Sequence, residues 1–82
     1  MQIKIITLDK ILKVYFNESL HLTLKLDDLI GIQSWIEGDI NKKYFIEYYL
    51  KDNSIQCEYN VIEKWLTILD LLDKENLFRR VI

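Results

Sequence analysis

The chain has no proline and no alanine, and only two glycines, one cysteine and one histidine among its 82 residues. One cysteine cannot close an intramolecular disulfide. One Cys and one His fall short of the four ligands that a structural zinc site takes, so neither a disulfide framework nor a zinc module explains the fold. An unpaired cysteine suits a reducing compartment, and a cytoplasmic location is the expectation. Glycine-rich phosphate loops, an HExxH pair and an EF-hand loop are all missing, and no cofactor or metal is expected. There is no basic stripe either. Eleven Lys and Arg stand against 13 Asp and Glu, a formal net charge of −2, which speaks against a nucleic-acid backbone as partner. Long apolar runs are absent too. Lys4 and Asp9 interrupt the first one before it reaches the ~7 to 15 residues of a signal-peptide core, and nothing approaches the ~20 residues of a membrane helix. A soluble protein without a membrane partner is expected.

What is present is apolar material: half of the residues are hydrophobic and 12% aromatic, enough for one core in so short a chain. Frequent Ile, Lys, Leu and Asn beside absent Ala and Pro is what an AT-rich gene produces, as in a low-GC bacterium, a phage or another mobile element.

Residues 2–8 and 11–16 are aliphatic and β-branched runs around Asp9-Lys10, which reads as a hairpin. A two-residue turn there sets Ile3 opposite Phe16, Ile5 opposite Val14 and Thr7 opposite Leu12. After the polar break at Asn17, Glu18 and Ser19, Leu20, Leu22, Leu24 and Leu26 alternate with polar residues, a strand pattern. Asp27-Asp28 marks the next turn, and Ile30, Ile32 and Ile36 continue the apolar alternation up to the break at Gly38, Asp39, Ile40 and Asn41. Tyr44, Ile46, Tyr48 and Leu50 alternate next. A turn at Asp52-Asn53 would place Leu50 opposite Ile55, Tyr48 opposite Cys57 and Ile46 opposite Tyr59. Asn60 followed by Glu63 has the spacing of a helix capping box, and Val61, Ile62, Trp65, Leu66, Ile68, Leu69 and Leu72 then recur at helical spacing.

The predicted fold is α+β: a six-stranded antiparallel meander, curled or partly closed into a barrel, with one C-terminal amphipathic helix. It forms a single domain over residues 1–76, with a short tail at 77–82. This element order resembles the pleckstrin-homology-type barrel, in which a strand meander ends in a helix bearing a tryptophan, here Trp65. The resemblance implies a barrel plugged by the helix and, as one function, binding of a small ligand or lipid headgroup. That family has one strand more, and its basic first loop is here only Asp9-Lys10.

For Cys57 the expectation is an inward position between Ile55 and Tyr59, as a core residue without nucleophilic work. His21 has the opposite parity and is expected to point outward, away from Cys57. Glu47 and Glu58 are expected opposite one another on the outer face, where a shared proton or a bound cation would give the only enzyme reading. Asp27-Asp28 and Asp39 with Asn41 are read as turns, and Arg79-Arg80 as a solvated doublet. If Ile36 pairs with Tyr44, then Trp35 faces Phe45, Gln33 faces Glu47 and Tyr49 lies over Gly31, all away from the helix. These rings are covered either by the sheet's curl or the tail, or by a partner. The functional expectation is a non-catalytic protein-interaction domain, an adaptor, subunit or inhibitor directed at another protein, with a second copy of the chain as one candidate. Its contact residues would be Trp35, Phe45, Tyr49, Glu47 and Glu58.

Overall fold

Among the described residues every strand hydrogen-bonds only to a neighbour in sequence, and the six strands divide into two sheets of three. The computed structural model describes residues 2–77. Strands β1 (Ile3–Leu8), β2 (Ile11–Phe16) and β3 (Ser19–Lys25) form one antiparallel sheet. A single 3-10 turn, Leu26–Asp28, leads into the second, made of β4 (Leu29–Glu37), β5 (Lys43–Leu50) and β6 (Ser54–Tyr59). Helix α1 (Ile62–Lys74) follows. The expectation of one continuous meander curled into a barrel is corrected here. The 3-10 turn redirects the chain, so β3 and β4 do not pair and the sheets do not close on each other. The tail at 78–82, including Arg79-Arg80, lies outside the described residues.

The β1–β2 pairing follows the predicted register throughout, from Ile3 with Phe16 to Leu8 with Ile11. Asp9 and Lys10 both have positive φ, the twist a two-residue hairpin turn requires. The next turn, Asn17-Glu18, does the same and pairs Phe16 with Ser19. Continued without interruption, that register would put His21 and Thr23 opposite Val14 and Leu12, on the core face. Burial of Leu22 and Leu24 demands the other parity, and the conflict is resolved by a bulge at His21, after which Val14 pairs with Leu22 and Leu12 with Leu24. Leu20, on the far side of the bulge, is therefore exposed, and Leu26 belongs to the 3-10 turn, so two of the four alternating leucines are not buried.

The β4–β5 pairs are those expected: Ile36 with Tyr44, Trp35 with Phe45, Gln33 with Glu47 and Gly31 with Tyr49. An irregularity between Leu29 and Gly31 leaves Ile30 69% exposed. The β5–β6 register differs from expectation by two residues: Tyr44 faces Tyr59, Ile46 faces Cys57 and Tyr48 faces Ile55. The end of β5 is held by β4, since Leu50 pairs with Leu29 and the Lys51 N–H donates to the Asp28 carbonyl at 3.0 Å. The turn therefore widens to residues 50–53, closed by the Leu50 N–H on the Asn53 carbonyl at 2.8 Å. A shift of two preserves parity, so each side chain keeps its face.

The helix begins one residue later than Asn60 would set. Val61 is still extended, and no side chain caps the first turn, so the Asn60 and Glu63 box does not form. At its other end Asn76 takes a left-handed conformation, with the Leu77 N–H on the Leu72 carbonyl at 2.9 Å and the Asn76 N–H on Asp73 at 2.9 Å, a Schellman ending. Leu77 packs on the core, so the domain's ordered packing reaches one residue past 76. Leu12, Val14, Leu22 and Leu24 of the first sheet, Tyr44, Ile46, Tyr48 and Tyr59 of the second, and Ile68, Leu69 and Leu72 of the helix make one core. The inner faces of both sheets meet the helix there, so their outer faces point away from it.

Candidate functional site

Because β4, β5 and β6 alternate, one set of their residues must face away from the core, and this face carries every residue singled out as a contact candidate. The rows across it are Glu37 and Lys43; Trp35, Phe45 and Glu58; Gln33, Glu47 and Gln56; and Gly31, Tyr49 and Ser54. Trp35 lies flat on Phe45, with ring centroids 5.1 Å apart and planes 9° from parallel. The Trp35 indole donates to Glu37 Oε2 at 2.9 Å, which fixes the ring's orientation.

Phe45 is only 6% exposed. The expectation that it forms part of an open contact surface is therefore corrected: Trp35 roofs it, and α1 holds its backbone from the other side through the Trp65 indole, which donates to the Phe45 carbonyl at 2.9 Å. Trp65 leans on Tyr44 at 5.4 Å, so one tryptophan lies on each side of β5 at neighbouring positions. The open part of the face is Trp35 and Tyr49 with the carboxylates around them.

Glu47 and Glu58 are not opposite one another. With the two-residue shift, Glu47 faces Gln56 and Glu58 faces Phe45. Glu58 pairs with Lys43 at 3.5 Å, whereas Glu47 accepts from the Ser54 hydroxyl at 2.8 Å and from the Tyr49 hydroxyl at 3.0 Å. Tyr49 also bonds Gln33 at 2.6 Å. The Glu47 hydrogen bond, with a lesser desolvation, holds the Tyr49 phenol above its usual pKa. The shared-proton carboxylate geometry is thus absent from this hairpin. What the face offers is a polar network that immobilises an aromatic rim, with Glu37, Glu47 and Glu58 against the single Lys43.

A second cluster was missed at the sequence level. The bulge turns His21 so that its ring stacks on Phe16 at 4.1 Å and its Nε2 meets the Tyr59 hydroxyl at 3.0 Å. His21 is exposed, as its parity implied, but its ring is held by these contacts. Lys64 of α1 sits over the Phe16 ring at 4.8 Å, so four elements meet at this clasp. Desolvation and, next, the Lys64 charge lower the His21 pKa, which favours the neutral ring beside the Tyr59 hydroxyl. Cys57 is inward as expected, half-buried on the strand of Tyr59; burial raises its thiol, partly offset by the Tyr59 hydroxyl beside it. Burial also raises Tyr59 and Tyr48 well above the ordinary phenol range. The conflict between the Asn17-Glu18 turn and the leucine parity was the signal for this bulge. Among the described residues no three His, Cys, Asp or Glu side chains converge as a metal site would need, and no helix is long and apolar enough to cross a membrane.

No protein family, no curated protein and no solved structure matches the chain. The likeness to a pleckstrin-homology-type barrel thus gains no support from comparison, and the closed barrel on which it rested is not formed.

Proposed function

We propose that this chain is a non-catalytic protein-interaction domain that acts by surface contact, as an adaptor, subunit or inhibitor, through the outer face of β4, β5 and β6. The observation that carries this reading is the Trp35 ring, stacked on Phe45 and pinned to Glu37 on a face turned away from both the helix and the core. An aromatic held rigid before binding loses little entropy when a partner covers it, and tryptophan is the commonest anchor of such contacts. Three carboxylates around it favour a partner with basic side chains, through faster and more selective encounter. The unpaired Cys57 suits action in a reducing compartment such as the cytoplasm. An AT-rich origin suits a mobile-element product directed at a basic site of a host protein.

The test is an affinity capture from the native host with two baits, wild type and Trp35→Ala combined with Glu58→Lys. Phe45 is left intact because its burial makes it part of the fold. Partners retained by wild type and lost from the variant are the expected result. Equal capture by two folded baits would defeat the reading.

A further inference from the structure

The outer face of β1, β2 and β3 has the opposite character. Its rows are Lys4, Tyr15 and Leu20; Ile6, Lys13 and Thr23; and Leu8, Ile11 and Lys25. Each row and each strand contributes one lysine, so three positive charges run diagonally across a surface otherwise made of aliphatic and aromatic side chains and one threonine. No carboxylate belongs to these rows. Leu8 is 68% exposed and Leu20 52% exposed. The face is also relieved by hollows. One of about 340 Å³ is bounded by Lys4, Ile6, Tyr15 and the turn residue Glu18, and another of about 290 Å³ by Leu8, Ile11, Lys13 and the turn residue Asp9.

We infer that the occupant of this lysine-bearing face is the Trp35 face of a second copy of the chain, giving head-to-tail self-association. The inference rests on the reading of the Trp35 face as a contact surface, and it identifies a partner. Three lysines stand against Glu37, Glu47 and Glu58, a set offset only by Lys43 at its side, and each face has three strands. One surface offers hollows and the other the rings of Trp35 and Tyr49, held by Glu37 and Glu47. Such a contact joins different patches of two identical molecules. Since the patches point away from each other across the core, it repeats and does not close on a dimer.

The experiment is sedimentation velocity on the full chain, from micromolar concentrations to about 1 mM, with circular dichroism to show that each variant is folded. Wild type is expected to sediment as monomer when dilute and as dimer and larger species when concentrated, with association weakened several-fold as salt shortens the screening length from ~10 Å to ~3 Å. Lys4→Glu with Lys13→Glu should remain monomeric alone, as should Glu37→Lys with Glu58→Lys. An equimolar mixture of the two should associate again, because one variant keeps the native acidic face and the other the native basic one. A monomeric wild type at the highest concentration, wild-type association by either charge-reversed variant alone, or a mixture that stays monomeric would each overturn the inference. If wild type is monomeric yet the Trp35→Ala bait loses partners that the native bait holds, self-association falls while the contact surface stands. If neither is seen, both fall.

Discussion

His21 and Tyr59 meet at 3.0 Å between β3 and β6, the one side-chain hydrogen bond found linking the two sheets among the described residues. Desolvation and, next, the nearby Lys64 charge oppose protonation of the imidazole. The folded-state pKa therefore lies below the unfolded value of 6.5. Stability from this bond is complete above that value and declines as pH falls through it, because the unfolded chain takes up the proton first. Urea melts at about pH 7 and about pH 5 should show a loss for wild type that shrinks in His21→Gln. The same pH slope in both proteins would remove His21 from the account.

Tyr48 is fully buried, and its hydroxyl has no hydrogen-bond partner among the described residues. An unpaired buried hydroxyl costs about 1 to 3 kcal/mol. Tyr48→Phe keeps the ring and removes the oxygen, so unfolding free energy should rise by about 1 kcal/mol. A destabilised variant would show that the hydroxyl has a partner in solution.

Trp65 offers the reverse case. Trp65→Phe leaves the Phe45 carbonyl without the indole N–H and withdraws packing from Tyr44. A loss of about 2 kcal/mol is expected in chemical denaturation. The backbone under Trp35 should loosen with it, seen as faster amide exchange in β5. Unaltered exchange there would mean that the two tryptophans are not coupled through this strand.

Two positive-φ positions carry opposite expectations. Glu18 sits at φ 73 without being glycine, in the second position of a two-residue turn whose favoured dipeptide is Asn-Gly. Glu18→Gly should stabilise by about 1 kcal/mol. At Gly38 the sign is opposite: φ is 91 and a Cβ would lie 2.6 Å from the Asn41 carbonyl oxygen, so Gly38→Ala should lower the midpoint of thermal unfolding. Matching calorimetric scans of both variants decide the pair.

The helix start is a further place for gain. Val61 is extended, half exposed and directly before the first helical residue, yet carries no oxygen to receive the free N–H groups of the first turn. Val61→Asp should add about 1 kcal/mol, read as a shift in urea midpoint; no shift would show that the first turn is already satisfied by water.

Where apolar alternation is clear on both strands, as in β1 with β2 across a two-residue turn and β4 with β5 across a five-residue loop, pairing follows from the sequence because a one-residue slip would expose the apolar side. The β5–β6 shift was not legible for the same reason in reverse. Registers two residues apart bury the same side chains, and the choice fell to backbone bonds from Lys51 to Asp28. The helix start was misplaced because Asn60 satisfies a spacing rule while the chain is still extended at Val61. Trp35 and Tyr49 were placed on the right face from parity alone. That Phe45 is sealed beneath Trp35 depends on a ring stack, which alternation does not encode.

Pairing confined to sequence neighbours has a kinetic consequence. Each sheet closes through turns of a few residues, so strand formation demands little loop entropy and both sheets can assemble separately on the microsecond scale of hairpins. Contacts between the two sheets, and of either sheet with α1, arise when the three come together, where Tyr59 reaches His21 and Ile68, Leu69 and Leu72 enter the core. That docking sets the folding barrier, so substitutions at those residues slow folding while changes in the turns mainly alter how quickly the sheets are ready for it.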